Sequence, residues 1–453
     1  MILKRKIYEK LLNWKADSKG KKALMIEGAR RIGKSTIAEE FAKNEYKSYI
    51  LIDFSKTSTK IKKYFRDYME DLDTFFMLLS ASFGVTLYPR ETLIIFDEVQ
   101  KYPRARECIK FLVKDGRFDY LETGSLISIR ENVKDIVIPS EEQSVKMYPL
   151  DFEEFCQALN SSEIINYIKL CYEKKKPLEN DMHKQAMMLF KQYMLVGGMP
   201  QSVIAFIENN KNFERADSEK RDILKLYRSD IMKIKSAYKA KVLTLYDQLP
   251  GLLSKHEKRV VLKNIVGGSS TEQYEKTFFW LQDSMICNMC FNCNDPNVGL
   301  AINEDRTYVK CYFGDTGLLV SHAFNENELS NGKLYNDILN DNLSINEGML
   351  YENVISQMLT ANGYDLYFYT KYSEEKHRND IEIDFIISNG SKINLKIYPI
   401  EVKSSKNYST TSLTKFNDKF KERIGESYVV HTKNFSVDNG VIYLPSYMVF
   451  CLK

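Results

Sequence analysis

The run Gly28-Ala29-Arg30-Arg31-Ile32-Gly33-Lys34-Ser35-Thr36 constrains this chain more than any other stretch. Its first eight residues satisfy G-x-x-x-x-G-K-[ST]. It sits between a short apolar run, Ala23–Glu27, and a helical pattern that begins at Lys34. A glycine-rich turn between a buried strand and a helix lets backbone N–H groups converge on an anion. The helix adds the positive end of its dipole. In this reading residues Gly28 to Thr36 wrap the phosphates of ATP. Lys34 reaches the β- and γ-phosphates, and the Ser35 hydroxyl is a ligand for Mg²⁺.

Further apolar runs follow at Ser48–Asp53, Leu93–Phe96 and Tyr120–Thr123. Strands alternating with helical stretches at this spacing predict βαβ units, a parallel sheet and an α/β fold. The run at Leu93–Phe96 delivers two acids, Asp97 and Glu98. Asp97 can hold Mg²⁺ through water, and Glu98 can orient or activate the attacking water. The next run ends in Thr123-Gly124-Ser125. Either hydroxyl, Ser125 or Thr123, is placed to sense the γ-phosphate; a plain turn is the alternative reading. Arg30 and Arg31 put two cations beside the phosphates, and the sequence assigns neither as an arginine finger.

At 453 residues the chain has room for about three domains. The grammar changes after Pro149. Asp151–Leu159 reads as a helix with Asp151 as N-cap and Glu154 completing a capping box. Long helical patterns fill 162–250, broken at Gly197-Gly198-Met199-Pro200. From 241 to 320 three helices precede strands, an order that fits a winged-helix module; the third helix starts at Ser270. From 346 one helix leads into strands at Asp365–Tyr369, Ile381–Ile387 and Ile397–Lys403. The expected division is 1–150, 151–240, 241–325 and 326–453.

A second group of functional residues lies in the last segment. Asp384 ends an alternating run, and Glu401-Val402-Lys403 ends another. Period two puts Glu401 and Lys403 on one strand face, where Asp384 from a neighbouring strand can meet them. Two carboxylates can bind a divalent metal, and a lysine can position water against a phosphodiester. Glu352, on an expected helix 348–361, offers a third carboxylate. Ion pairs on a strand surface are the competing reading.

The net charge is only +4, but it is uneven. Residues 1–22 carry a net +6 and residues 211–263 a net +7. Two readings stand: a surface facing a polyanion such as DNA, or solvated helix faces. The eight cysteines include Cys287-x-x-Cys290-x-x-Cys293, which has no fourth ligand nearby and reads better as a core strand than as a zinc site. The five histidines are isolated. With no secretory signal and no apolar run of membrane-spanning length, the expectation is a cytoplasmic protein with reduced thiols.

Taken in order, GARRIGKST, IIFDEVQKYP, the TGS near 124, YPLDFEEF, GGMP, KCYFGDTGLL, EGMLYENVISQML, IEIDF and IEVKSS resemble the prokaryotic AAA-type ATP-binding proteins with a C-terminal domain of unknown function from the restriction-endonuclease-like superfamily. The resemblance runs from residue 28 to 405. It implies a P-loop NTPase core with a RecA-like sheet, a helical lid, a winged-helix segment and a nuclease-like α/β end. It places Arg30 as the usual loop arginine and Gln100 after the acidic pair. Its acid–acid–ExK set falls on Glu352, Asp384, Glu401 and Lys403. The function so implied is a Mg²⁺-dependent ATPase whose nucleotide state is coupled to the C-terminal domain. An ATP-gated DNA endonuclease and a nucleotide-switched interaction module with a vestigial nuclease fold are the alternatives. A homo-oligomer or a protein partner is among the expected associations.

Overall fold

The computed structural model describes residues 1–125, 139–234, 238–255, 260–261, 271–324, 333–340, 347–375, 378–388, 396–405 and 407–452. The chain divides into two compact units. One comprises residues 2–148 with 283–285; the other comprises residue 1, 149–282 and 286–453.

In the first unit five strands form one sheet: β1 (Ala23–Glu27), β2 (Ser48–Asp53), β3 (Thr92–Asp97), β4 (Asp119–Gly124) and β5 (Glu142–Lys146). Their order is β2-β3-β4-β1-β5, and every pairing is parallel. A parallel sheet is covered on both faces, so its inner strands are buried and mostly apolar. All six residues of β3 are buried accordingly. Helices α1 (Ile7–Ser18) and α2 (Lys34–Glu45) contact one another. Phe41 of α2 packs against Tyr8 and Trp14 of α1. Three further helices are α3 (Thr59–Asp67), α4 (Leu72–Phe83) and α5 (Pro103–Asp115). They bring Phe65, Phe75 and Cys108 into a core with Phe54, Phe96 and Tyr120.

Strand β5 was not legible in the sequence. It reads Glu-Gln-Ser-Val-Lys, is polar, and lies at the sheet edge with three of its five residues exposed. Only its register with β1, from Ala23 opposite Glu142 to Glu27 opposite Lys146, makes it a strand.

The second unit begins with helices α6 (Phe152–Ala158), α7 (Ser162–Glu173), α8 (Asn180–Val196), α9 (Pro200–Glu208), α10 (Phe213–Met232) and α11 (Lys239–Leu253). The capping box of α6 is present. Asp151 accepts from the Glu154 N–H at 2.8 Å, and Glu154 accepts from the Asp151 N–H at 3.1 Å. Then come β6 (Val260–Val261), α12 (Thr271–Asp283), β7 (Cys287–Cys293), β8 (Glu304–Phe313), α13 (Thr316–Ala323), α14 (Lys333–Leu339) and α15 (Glu347–Ala361). Strands β9 (Leu366–Ser373), β10 (Arg378–Ser388) and β11 (Ile397–Val402) precede α16 (Thr411–Lys419). The chain closes with β12 (Ser427–His431), β13 (Ser436–Asp438) and β14 (Val441–Pro445).

These nine strands form a single sheet in the order β13-β14-β12-β11-β10-β9-β7-β8-β6. The expected boundary at 325/326 therefore falls inside one hydrogen-bonded layer, because β7 pairs in parallel with β9. The expected middle helix of a winged-helix module and the Ser270 start of its third helix lie outside the described residues; the third helix is described from Thr271 as α12. Cys287, Cys290 and Cys293 are all buried in β7.

The motifs that punctuate this unit meet in one buried network. The Asp315 carboxylate accepts from the N–H groups of Gly198 at 2.6 Å and Leu318 at 2.9 Å. Gln357 donates to Asp315 and to the Tyr193 hydroxyl, which donates to the Leu150 carbonyl. Glycine is required where backbones touch. A Cβ on Gly198 would lie 2.1 Å from the Leu150 carbonyl oxygen, and one on Gly317 would lie 2.5 Å from the Gly197 nitrogen. Hence GGMP and FGDTGLL occur together for packing.

Candidate functional site

The phosphate loop spans the gap between β1 and α2. Gly33 has φ 92°, a left-handed backbone open to glycine at little cost. Gly28 is needed for close approach: a Cβ there would sit 2.5 Å from the Met147 carbonyl oxygen. Ala29 and Ile32 are buried and anchor the loop, while Arg30, Arg31 and Thr36 point to the exposed side. Arg31 has φ 70°. The Arg5 guanidinium donates to the Ile32 carbonyl at 3.0 Å and to the Tyr148 carbonyl at 2.6 Å. One cation of the basic N-terminal tract is thus committed to holding the loop.

Lys34 is buried and donates to the Gly28 carbonyl at 3.0 Å and the Ala29 carbonyl at 2.8 Å. Burial lowers its pKa to about 8, against the attraction of Glu98 and Asp97. A phosphate brought to this ammonium would favour its charged form.

One oxygen gathers the rest of the site. Asp97 Oδ1 accepts from the Ser35 hydroxyl at 2.6 Å and, in a short contact, from the Thr123 hydroxyl. β3 delivers Asp97, and neighbouring β4 delivers Thr123, so the sheet itself sets this meeting. Thr123 Oγ1 also lies 3.4 Å from the Glu98 backbone N–H. Glu98 has φ 52°, and Gln100 donates to its carboxylate through a short contact. Of the two candidate sensor hydroxyls, the structure gives the place beside Asp97 to Thr123. Ser125 follows β4 and is half-buried.

The second group of residues comes together on the nine-stranded sheet. Asp384 of β10 accepts from the Val402 N–H at 2.9 Å with one oxygen. Glu401 of β11 pairs with Lys403 at 2.7 Å, and its other oxygen is buried with no hydrogen-bond partner. Burial pushes the Glu401 carboxyl up to about 7; Lys403 opposes this, and Asp384 and Glu382 add to it. Glu352 of α15 accepts from the Tyr312 hydroxyl at 3.1 Å.

The residue that sequence reasoning missed is Lys310 of β8. It is 1% exposed and lies 3.5 Å from both Asp384 and Glu382. Burial disfavours its charge, but Asp384, Glu352 and Glu382 outweigh that and hold its pKa above the ordinary lysine value. The signal was present in Val-Lys-Cys-Tyr-Phe: a lone charge in an apolar strand requires a buried partner. Among the described residues no group of three or more His, Cys, Asp or Glu is arranged to hold a metal ion.

The basic middle tract is largely paired or buried where it is described. Arg221 meets Asp217 at 2.6 Å, Lys225 meets Asp222 at 2.9 Å, and Lys233 meets Asp230 at 2.8 Å. Lys220 is fully buried and donates to the Leu195 carbonyl at 2.6 Å.

Residues 20–156 match the family model described as an AAA domain. Residues 20–156 carry an AAA domain. Residues 187–329 and 347–447 each match a domain of unknown function. No curated protein matches the chain. Among solved structures, the chain is similar to the Walker-type ATPase PABY2304 of Pyrococcus abyssi, at 14% identity and TM-score 0.41, over 71% of this chain and 96% of that one. It is also similar to the Aeropyrum pernix ORC1 protein in complex with DNA, at 10% identity and TM-score 0.30, over 74% and 95%. AMPPCP-bound DnaA from Aquifex aeolicus follows at 12% identity and TM-score 0.27, over 62% and 88%. Among the described residues no helix is long and apolar enough to cross a membrane.

Proposed function

We propose that this chain binds ATP with Mg²⁺ and hydrolyses it, and that its nucleotide state controls the C-terminal nuclease-like part. The observation that carries the reading is the convergence of Ser35 and Thr123 on one oxygen of Asp97, with Glu98 next in sequence and Lys34 close enough to feel both acids. Residues Gly28 to Thr36 offer the loop N–H groups to the phosphates. The Lys34 ammonium, now shared by two carbonyls, moves to the β- and γ-phosphates. Glu98 accepts the proton of the attacking water or orients it, and Gln100 fixes the direction of its carboxylate.

Ser35 Oγ and Asp97 Oδ1, two hard oxygen donors 2.6 Å apart, fit Mg²⁺. The ion offsets the charge of the phosphates when bound. Thr123, tied to both Asp97 and the Glu98 backbone, orients the two acids.

For residues 326–453, whose strands share one sheet with β7 and β8, the proposal is a restriction-endonuclease-like fold, with residues 241–325 as a winged-helix-like segment joined to it and DNA as the candidate partner. The presence of Lys310 among Glu382, Asp384 and Glu352 favours a module that binds without cutting over an ATP-gated endonuclease. Purified protein given ATP and Mg²⁺ is expected to release phosphate, and Lys34→Ala and Glu98→Gln are expected to abolish it. Turnover unchanged in both variants refutes the hydrolysis. Metal-dependent DNA cleavage lost in Asp384→Ala would establish the endonuclease instead.

A further inference from the structure

Lys310 reaches its acids by an unusual route. It stands on β8, whereas Glu382 and Asp384 stand on β10, and both β9 and β7 lie between them in the sheet. Its side chain crosses that face past Cys290, directly opposite it on β7, and past the ring of Phe368 on β9, whose centroid is 5.2 Å from the ammonium. Cys290 is buried and small, which leaves room for a long aliphatic stem. Cys290 of the Cys-x-x-Cys-x-x-Cys run thus has a packing role. Period two also puts Tyr312 on the Lys310 face of β8, where its hydroxyl meets Glu352.

Most of the cluster's oxygens already have partners within the protein, the buried Glu401 Oε2 excepted. Asp384 Oδ1 faces Lys310, and Asp384 Oδ2 accepts a backbone N–H. Glu401 Oε1 holds Lys403, and Glu352 Oε2 accepts from Tyr312. We propose that the Lys310 ammonium is the resident cation of this acidic cluster and excludes a divalent metal from it. A partly buried carboxylate pair such as Glu382 and Asp384 favours a counter-charge, and a lysine built into the sheet supplies one permanently. The nuclease-like part then keeps the shape of a catalytic sheet with its metal position filled by the protein itself. This inference rests on reading Glu352, Asp384 and Glu401 as the family's acidic set, and it is independent of ATP hydrolysis.

The test uses full-length protein without nucleotide, titrated with Mn²⁺ in a calorimeter and melted with and without Mn²⁺. Wild-type protein and Asp384→Asn are expected to bind Mn²⁺ alike. A saturable sub-millimolar site in wild-type protein that Asp384→Asn removes overturns the proposal. Lys310→Met is expected to bind Mn²⁺ at least tenfold more tightly than wild type and to melt at a higher temperature in its presence. Both effects should vanish in Lys310→Met/Asp384→Asn. A folded Lys310→Met that ignores Mn²⁺ also overturns the claim that the ammonium holds a metal's place. Should Lys310→Met fail to fold, the comparison of wild type with Asp384→Asn decides. Since no nucleotide is present, a failure here leaves the ATPase reading standing, and loss of turnover in the ATPase assay leaves this result standing.

Discussion

Replacing Thr123 by valine keeps the shape of the side chain and removes its hydroxyl. That hydroxyl donates to Asp97 Oδ1 and accepts from the Glu98 backbone N–H, and Thr123 is fully buried. A hydrogen bond to a charged group contributes about 1.5–3 kcal/mol. The Glu98 N–H contact is long at 3.4 Å, so its loss adds little. If the bond to Asp97 is needed in the transition state, about 1.5–3 kcal/mol corresponds to a fall in kcat of roughly 10- to 150-fold. Valine fills the same volume, so the melting temperature should move by only a few degrees, and ATP affinity should change less than kcat. The matched control is Ser125→Ala, expected to stay within about threefold of wild type. Steady-state phosphate release, with nucleotide binding measured separately, reads both. Turnover of Thr123→Val within twofold of wild type, with a large loss in Ser125→Ala, would refute the assignment of Thr123 as the orienting hydroxyl.

Three further outcomes test the second unit. Asp315→Ala removes the acceptor for two buried N–H groups, that of Gly198 and that of Leu318, the latter being the helix cap of α13, and should cost about 2–6 kcal/mol in urea unfolding, at about 1–3 kcal/mol per orphaned donor. Gly198→Ala forces a Cβ to within 2.1 Å of the Leu150 carbonyl oxygen and should lower the melting temperature sharply, with Gly251→Ala, in open space, as the mild comparison. Lys220 has its pKa lowered to about 8 by burial, against the pull of Asp217 and Asp315. Between about pH 8 and 10.5 the unfolded chain binds a proton there that the native chain does not, so stability from this site rises with pH. Lys220→Met should flatten that rise by up to about 3 kcal/mol, and an identical slope in the variant would count against the buried-lysine reading.

The legible parts of the sequence were those where local chemistry and fold demand the same residues. A loop that must present N–H groups to phosphate needs glycine, and a strand buried on both faces needs an apolar run. Gly33, Lys34 and the Thr92–Asp97 strand could therefore be read directly. The capping box at Asp151 was equally local. What the sequence hid depends on long-range partners. Polar β5 becomes a strand only by pairing with β1. The pairing of β7 with β9 joins segments that composition would divide at 325. Lys310 was hidden for the same reason: its acids lie on β10, 72 and 74 residues away, and only the sheet order brings them within 3.5 Å. The basic tracts show the reverse. Arg5 and Lys220 look like surface charge in the sequence and are buried hydrogen-bond donors in the fold.

The most direct test of the central claim is phosphate release from ATP by wild-type protein, Lys34→Ala and Glu98→Gln under the same conditions. The account expects Mg²⁺-dependent turnover in the wild type. It expects loss of both binding and turnover in Lys34→Ala, and retained binding without turnover in Glu98→Gln. Turnover that survives Glu98→Gln and Lys34→Ala alike, or its absence from a wild-type protein that does not bind ATP, would contradict it.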